Sequence, residues 1–562
     1  AVNPGTSGGN DTINVTGGNN VVIGGIGSDI INSGNGRDVV LGDSGSVDYV
    51  ITDNDEANPD IVTSNMVAGD AADTINVGNG NNIVIAGNGN DTVTSGTGND
   101  FIIGDSGVLT FGTTGNLRTA VNPGTSGGND TINVTGGNNV VIGGIGSDTI
   151  NTGNGRDVVL GDSGSVDYVI TDNDEANPDI VTSNMVAGDA ADTINVGNGN
   201  NIVIAGNGND TVTSGTGNDF IIGDSGVLTF GTTGNLRTAV NPGTSGGNDT
   251  INVTGGNNVV IGGVGTDIIN TGNGRDVVLG DSGTVDYVVR DNNEANPDLV
   301  TSTQTPLDGN DVINMGNGNN IAIAGRGNDL VTSGTGNDFI LGDSGTMTFG
   351  TTGNLRTAVS GDVAGGDDTI TVAGGSNVVV GGVGKDTITT GNGYDIILGD
   401  VGTIDYVIDD NDESDIDRII APGSTFGGDD VINSGDGDAF IFGGTGSDTI
   451  TAGAGRDLIF GDHGQLIGNI DPSVLPLTVL ADPFTFTSID TQSSYTNSND
   501  LIRAGAGDDI VIGGQGNDRI LGQAGDDDII GGHNVANGAD GNDVLDGGSG
   551  VDVIAGDNAV IT

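Results

Sequence analysis

The residues best suited to chemistry in this chain are aspartates set nine positions apart among glycines. Gly24-Gly25-Ile26-Gly27-Ser28-Asp29-Ile30-Ile31-Asn32 is followed at once by Ser33-Gly34-Asn35-Gly36-Arg37-Asp38-Val39-Val40-Leu41. A carboxylate is a hard, charged oxygen donor. Glycine accepts the positive backbone angles of a tight turn and lets carbonyl oxygens point inward. Together they supply the oxygen-rich coordination that calcium takes, six to eight ligands per ion.

Other candidate chemistry is weaker. Gly42-Asp43-Ser44-Gly45 has the form of a nucleophile loop, repeated at Ser106, Ser163, Ser225, Ser282 and Ser344. A serine nucleophile needs a histidine beside it. The chain has only His463 and His533, and none in the first three repeats, so no catalytic residue is expected. The two histidines fall in turns, where they are expected to be solvated, with zinc ligation the lesser alternative. Lys385 lies in a glycine loop but is followed by Asp386, not by the Ser or Thr of a phosphate-binding loop. Asp53-Asn54-Asp55-Glu56, with Asp60, lacks the spacing of an EF-hand; a solvated acidic linker is expected there, an extra calcium site being the alternative.

The elements that must position the aspartates are short. Only three residues follow each aspartate before the next glycine turn, enough for one small strand with its central aliphatic (Ile13, Val22, Ile31, Val40) pointing into a core. The units run in phase from Thr6 to Val50 and from Ala68 to Gly112, separated by Ile51–Val67 and Thr113–Gly124. A longer period of 119 residues contains them: Ala1–Thr119 recurs at Ala120–Thr238, where Ile30 becomes Thr149 and Ser33 becomes Thr152. The expected divisions are 1–119, 120–238, 239–357, a divergent 358–494 and a terminal roll at 495–562. Each of the regular repeats is expected to hold two short rolls joined by linkers.

The pattern G-G-x-G-x-D-x-U-x, with U a large aliphatic, resembles the RTX (repeats-in-toxin) calcium-binding proteins. Gly24–Asn32, Gly143–Asn151, Gly262–Asn270, Gly381–Thr389, Gly443–Thr451 and Gly513–Leu521 match it fully. The resemblance implies an all-β chain, a right-handed parallel β-roll with two nonapeptides per coil and Ca2+ in the turns, many ions in all.

On that reading the ligands are the turn aspartates. In the first repeat they are Asp11, Asp29, Asp38, Asp43, Asp73, Asp91, Asp100 and Asp105; in the second Asp130, Asp148, Asp157, Asp162, Asp192, Asp210, Asp219 and Asp224. The third supplies Asp249, Asp267, Asp276, Asp281, Asp311, Asp329, Asp338 and Asp343, and the fourth Asp368, Asp386, Asp395, Asp400, Asp430, Asp448, Asp457 and Asp462. Asp500, Asp509, Asp518, Asp527, Asp543 and Asp552 complete the set. Turns two units apart stack, so Asp11, Asp29 and Asp43 share one side, with Asp43 closing the stack, and Asn20 and Asp38 share the other. Asparagine stands in for aspartate at Asn20, Asn82, Asn139, Asn201, Asn258 and Asn320. A neutral amide is a weaker calcium ligand.

The composition agrees. Lys plus Arg number 13 against 76 Asp plus Glu, a formal charge of −63. Such self-repulsion opposes collapse unless cations neutralise it, and it argues against nucleic acid or anionic lipid as partner. There is no cysteine, hence no disulfide scaffold, and no apolar run long enough to span a membrane. Ala1 already lies inside a repeat and no signal peptide is seen, as expected of a piece of a longer protein.

Residues flanking the inward aliphatic face outward. In alternate units these are polar (Thr12, Asn14, Thr74, Asn76, Thr92, Thr94); in the others they are apolar (Val21, Ile23, Val39, Leu41, Ile83, Ile85, Phe101, Ile103). A wet apolar sheet is unfavourable, so neighbouring rolls are expected to pack through it, the alternative being cover by the linkers. The functional expectation is a calcium-stabilised structural protein of the bacterial cell surface, a fibre, sheath or S-layer assembling with copies of itself. The alternatives are the stalk of a giant adhesin, an ice-binding roll limited by arrays of about three strands, or the folding module of a secreted toxin or enzyme.

Overall fold

The computed structural model describes all residues except 52–56, 171–174, 362–364, 409–410, 424–425, 469–485, 493–497, 536–537, 539 and 561–562. Among the described residues there are strands and no α-helix, and therefore no helix that could cross a membrane. Two compact units are formed, Ala1–Gly272 with Ser282–Val288, and Asn273–Asp281 with Val289–Thr562.

In the first unit each coil has a polar strand, a turn, an apolar strand and a second turn. The polar strands run from Thr12–Asn14 to Ile268–Gly272 and the apolar ones from Val21–Ile23 to Val259–Ile261. Both stack in parallel and in register: Ile13 pairs Ile31, Ile31 pairs Ile75, and Val22 pairs Val40. The central aliphatics meet between the two sheets, where Ile31, Ile75, Val40 and Val84 have no exposed surface. The second unit repeats the plan, Ile313 on Val331 on Ile370 and Val278 on Ala322 on Ile340.

The all-β parallel roll is as expected; its division into short rolls is not. Coils follow one another at 18 residues, but those between Ile30 and Thr74, and between Thr92 and Thr131, take 44 and 39. The extra 26 and 21 residues are inserted into a turn, and the parallel ladders continue beneath them. The polar sheet of each unit is correspondingly unbroken, not an array of three strands. Its outward asparagines form their own ladder: Asn32 Nδ2 donates to Asn14 Oδ1 at 2.8 Å, and Asn76 Nδ2 to Asn32 Oδ1 at 3.0 Å.

The insertions build a third, antiparallel sheet. In the first unit Gly45–Asp48 pairs Ile61–Ser64, which pairs Val108–Phe111, which pairs Leu117–Asn122, and so on through the second repeat. The registers Val47↔Val62, Val62↔Leu109, Leu109↔Ala120 and Ala120↔Val166 line up one apolar row. That row is buried, and so are the outward residues of the apolar sheet, Val39, Leu41, Ile83, Ile85 and Ile103. Phe101 of that sheet meets Phe111 of the covering sheet with ring centroids 5.7 Å apart. From Val39 on, the apolar sheet of the first unit is thus covered by the linkers of the same chain, whereas Val21 in the first coil stays exposed; the expected packing between rolls is not what buries the covered residues. Strands alternating a polar and an apolar residue, as Ser46-Val47-Asp48 does, suit a sheet with one wet face.

Candidate calcium-binding turns

The two turns of each coil make two edges. On the first edge, after each apolar strand, the aspartates form a continuous backbone-to-side-chain ladder. The amide of Asp11 donates to Oδ1 of Asp29, Asp29 to Asp73, and Asp73 to Asp91, each at 2.7 Å; Asp91 donates to Asp130 at 2.8 Å. The ladder goes on through Asp148, Asp192, Asp210, Asp249 and Asp267. In the second unit it links Asp311, Asp329, Asp368, Asp386, Asp430, Asp448, Asp500, Asp518 and Asp543.

In most of these carboxylates only one oxygen is used. Oδ2 of Asp29, Asp73, Asp91, Asp130, Asp148, Asp192 and Asp210 is buried with no hydrogen-bond donor, as are those of Asp329, Asp368, Asp386 and Asp430. A buried, unsatisfied carboxylate oxygen is costly. Beside Asp29 and Asp148 the space is kept open by glycine. A Cβ on Gly24 would stand 2.4 Å from Asp29 Oδ2 and 2.3 Å from the Gly42 carbonyl oxygen; one on Gly143 would meet Asp148 Oδ2 and the Gly161 carbonyl at 2.4 and 2.3 Å. Carboxylate and carbonyl oxygens therefore face a common cradle. Gly25 and Gly27 close the turn at φ of 109° and 124°.

The electrostatics say the same. Burial first, and then the like charges of Asp148, Asp91 and Asp105, push Asp130 up to about 11. Burial raises Asp73 to about 8 and Asp91 to about 7, against the lowering effect of the amide bonds. A cation supplies what these oxygens lack. Among the described residues no three carboxylate or imidazole side chains converge on one point. An ion in the cradle would draw on carboxylate and backbone carbonyl oxygens together, which suits calcium and not zinc.

The second edge is built differently. Asn20, Asp38, Asn82, Asp100, Asn139, Asp157, Asn201 and Asp219 alternate, each amide donating to Oδ1 of the next. In the second unit the order is Asp276, Asn320, Asp338, Asn377 and Asp395, followed after Ala439 by Asp457, Asp509, Asp527 and Asp552.

Asp43 and its counterparts Asp105, Asp162, Asp224, Asp281, Asp343, Asp400 and Asp462 begin the insertions and belong to neither ladder. Asp43 does not close a stack, because Asp73 takes the next place on it. Its Oδ2 accepts the Asn88 amide at 2.5 Å, and Asp105 accepts the amides of Ile145 and Gly128 at 2.6 and 3.1 Å. They pin the root of each insertion to the turn above. Asp70, which the nonapeptide phase does not mark, also lies here: its Oδ1 is buried without a partner, its Oδ2 accepts the Val67 amide at 2.8 Å, and its charge helps raise Asp43 to about 9, after burial.

Ser44, Ser106, Ser163, Ser225, Ser282 and Ser344 are buried at the same roots. The histidines are not solvated as expected: His463 and His533 are buried. His463 Nε2 lies 3.0 Å from Thr445 Oγ1, and burial, then the neighbouring His533, pushes it down to about 4. Asp53–Glu56 lie outside the described residues; Asp60 is buried.

A parallel roll with glycine-lined cradles on an aspartate ladder defines a repeat class, and the sequence comparison assigns the family. The RTX calcium-binding nonapeptide repeat matches residues 6–40, 67–107, 125–164, 186–226, 244–278, 315–346, 363–397, 433–465, 495–529 and 530–558. The chain belongs to that family. In the first repeat the matches pause at residues 41–66 and 108–124, which take in most of both insertions. No curated protein matches the chain.

Proposed function

We propose that this chain is a calcium-rigidified structural element of an extracellular bacterial surface, a stalk or fibre whose length comes from repetition and whose order comes from calcium. The observation that supports it most is the row of buried, unsatisfied carboxylate oxygens on the first edge. Without cations these charges repel and each costs desolvation; with calcium they tie coil to coil. Millimolar calcium outside the cell and its scarcity inside would make folding follow export. Near-identical copies favour length over a single binding site. The covering sheet buries Val39, Leu41, Ile83, Ile85 and Ile103, which supports association of copies through polar surfaces and calcium over association through the apolar face. No enzymatic role is proposed.

Electron microscopy of the full chain tests this reading. Rods or fibres in millimolar calcium that disappear in EDTA support it, at about 4.8 Å of length per coil. Particles unchanged by EDTA contradict it.

A second reading is favoured by the unbroken polar sheet. Thr74, Thr92 and Thr131 form an outward row, with Ile30 between Thr74 and Thr12, beside Asn14, Asn32, Asn76 and Thr94, an array of the kind that could order water as ice does. Thermal hysteresis in calcium would select this reading; its absence returns the sheet to solvent.

A further inference from the structure

We infer that calcium loads only the first edge of the roll through the repeats, and that the second edge is a metal-free seam until the last coils, where both edges become calcium edges. The inference rests on the calcium reading above and restricts it to particular turns.

On the second edge the hydrogen bonds that a cation would replace are already made. Asn82 Nδ2 donates to the carbonyls of Gly78 and Gly80 at 3.1 and 3.0 Å; Asn201 Nδ2 donates to Gly197 and Gly199, both at 3.1 Å. The amide group thus occupies the turn carbonyls that an ion would draw on. The intervening aspartates are satisfied at both oxygens. Asp38 Oδ1 accepts from Asn20 Nδ2 at 2.8 Å, and Oδ2 from Ser33 Oγ at 2.7 Å. Asp100, Asp157, Asp219 and Asp338 accept from Ser95, Thr152, Ser214 and Ser333 at 2.6 to 2.7 Å.

The cradle itself is filled. Its first position is Gly or Ala on the first edge, at Gly24, Gly42, Ala86 and Gly104. On the second edge it is Val15, Ser33, Val77 and Ser95. The contrast with the first edge, where Asp29, Asp73 and Asp91 are buried with an open oxygen each, is therefore built at two positions per turn.

After Ala439 both positions change together. The asparagines cease, the Ser or Thr five residues before each aspartate becomes Ala452, Ala504 and Gly522, and Oδ2 of Asp457, Asp509 and Asp527 is buried without a donor. A Cβ on Gly522 would stand 2.3 Å from Asp527 Oδ2 and 2.6 Å from the Gly547 carbonyl, the same cradle as at Gly24.

The test is anomalous diffraction from crystals of the full chain grown in calcium, or soaked in terbium. Peaks along the Asp29–Asp73–Asp91 edge, with second-edge peaks confined to Asp457 onward, are the expected result. Peaks beside Asp38 or Asp100 equal to those beside Asp91 overturn the one-sided assignment and leave the calcium reading standing. Peaks nowhere overturn both. A gain-of-site variant gives an independent measure: Asn82→Asp with Ser95→Ala reopens one cradle and is expected to bind one more calcium per chain by native mass spectrometry. An unchanged stoichiometry in the folded variant contradicts the assignment.

Discussion

The amide of Asp73 donates to Oδ1 of Asp91 at 2.7 Å, while Oδ2 of Asp91, equally buried, accepts from no donor. One oxygen holds the coils in register and the other is left for a cation. On the proposed reading, this division of labour, repeated coil after coil, would make folding and calcium binding one equilibrium.

The pH dependence of the calcium-free chain follows from it. On the first edge burial raises Asp91, Asp148 and Asp210 from 3.8 to about 7, and burial with neighbouring carboxylates raises Asp130 to about 11. The folded form therefore binds protons more tightly than the unfolded one. The stability gained this way is complete below about pH 4 and is lost as pH rises through 7 and beyond. In EDTA, far-UV circular dichroism is expected to show β structure near pH 3.5 and its loss at pH 8. A chain in EDTA that is ordered at pH 8 and not at 3.5 contradicts the sign.

Neutral substitutions on the two edges should separate. Asp91→Asn removes a charged ligand, and the calcium needed to protect residues 86–104 from hydrogen exchange is expected to rise about tenfold, within the range over which ligand charge tunes calcium sites. Asp100→Asn disturbs only the Ser95 and Asn82 bonds and is expected to cost about 1 kcal/mol with the calcium midpoint unchanged. Equal midpoint shifts would show the edges to be equivalent.

The covering sheet is held by its own core. Phe111 is 1% exposed and packs on Phe101. Phe111→Ala is expected to cost about 3–5 kcal/mol locally. Hydrogen exchange should quicken at Val108–Asn122 while the core strand Thr92–Thr97 keeps its protection. Equal loss in both strands would mean that cover and roll unfold as one.

Much of this was legible in the sequence. The nine-residue phase gives the three-residue strands, their inward aliphatics and the difference between Thr12-Ile13-Asn14 and Val39-Val40-Leu41. What hid the covering sheet is that Gly42–Val50 and Gly104–Gly112 keep the nonapeptide's glycines while the chain leaves the coil after the first turn residues. Composition continues the phase; the backbone does not. That Asp73 succeeds Asp29 in the ladder, 44 residues on, is a long-range pairing that no local period encodes. The filling of the second edge was readable, since Val15, Ser33, Val77 and Ser95 stand where the first edge has Gly or Ala, but its meaning depends on knowing which turns stack.

The most direct measurement is far-UV circular dichroism with small-angle X-ray scattering on the full chain at pH 7.5, titrated with calcium from EDTA. A cooperative gain of β structure with contraction of the chain is the expected result. A chain with the same spectrum and the same dimensions at both ends of the titration would contradict the claim that calcium on the aspartate ladder holds this fold.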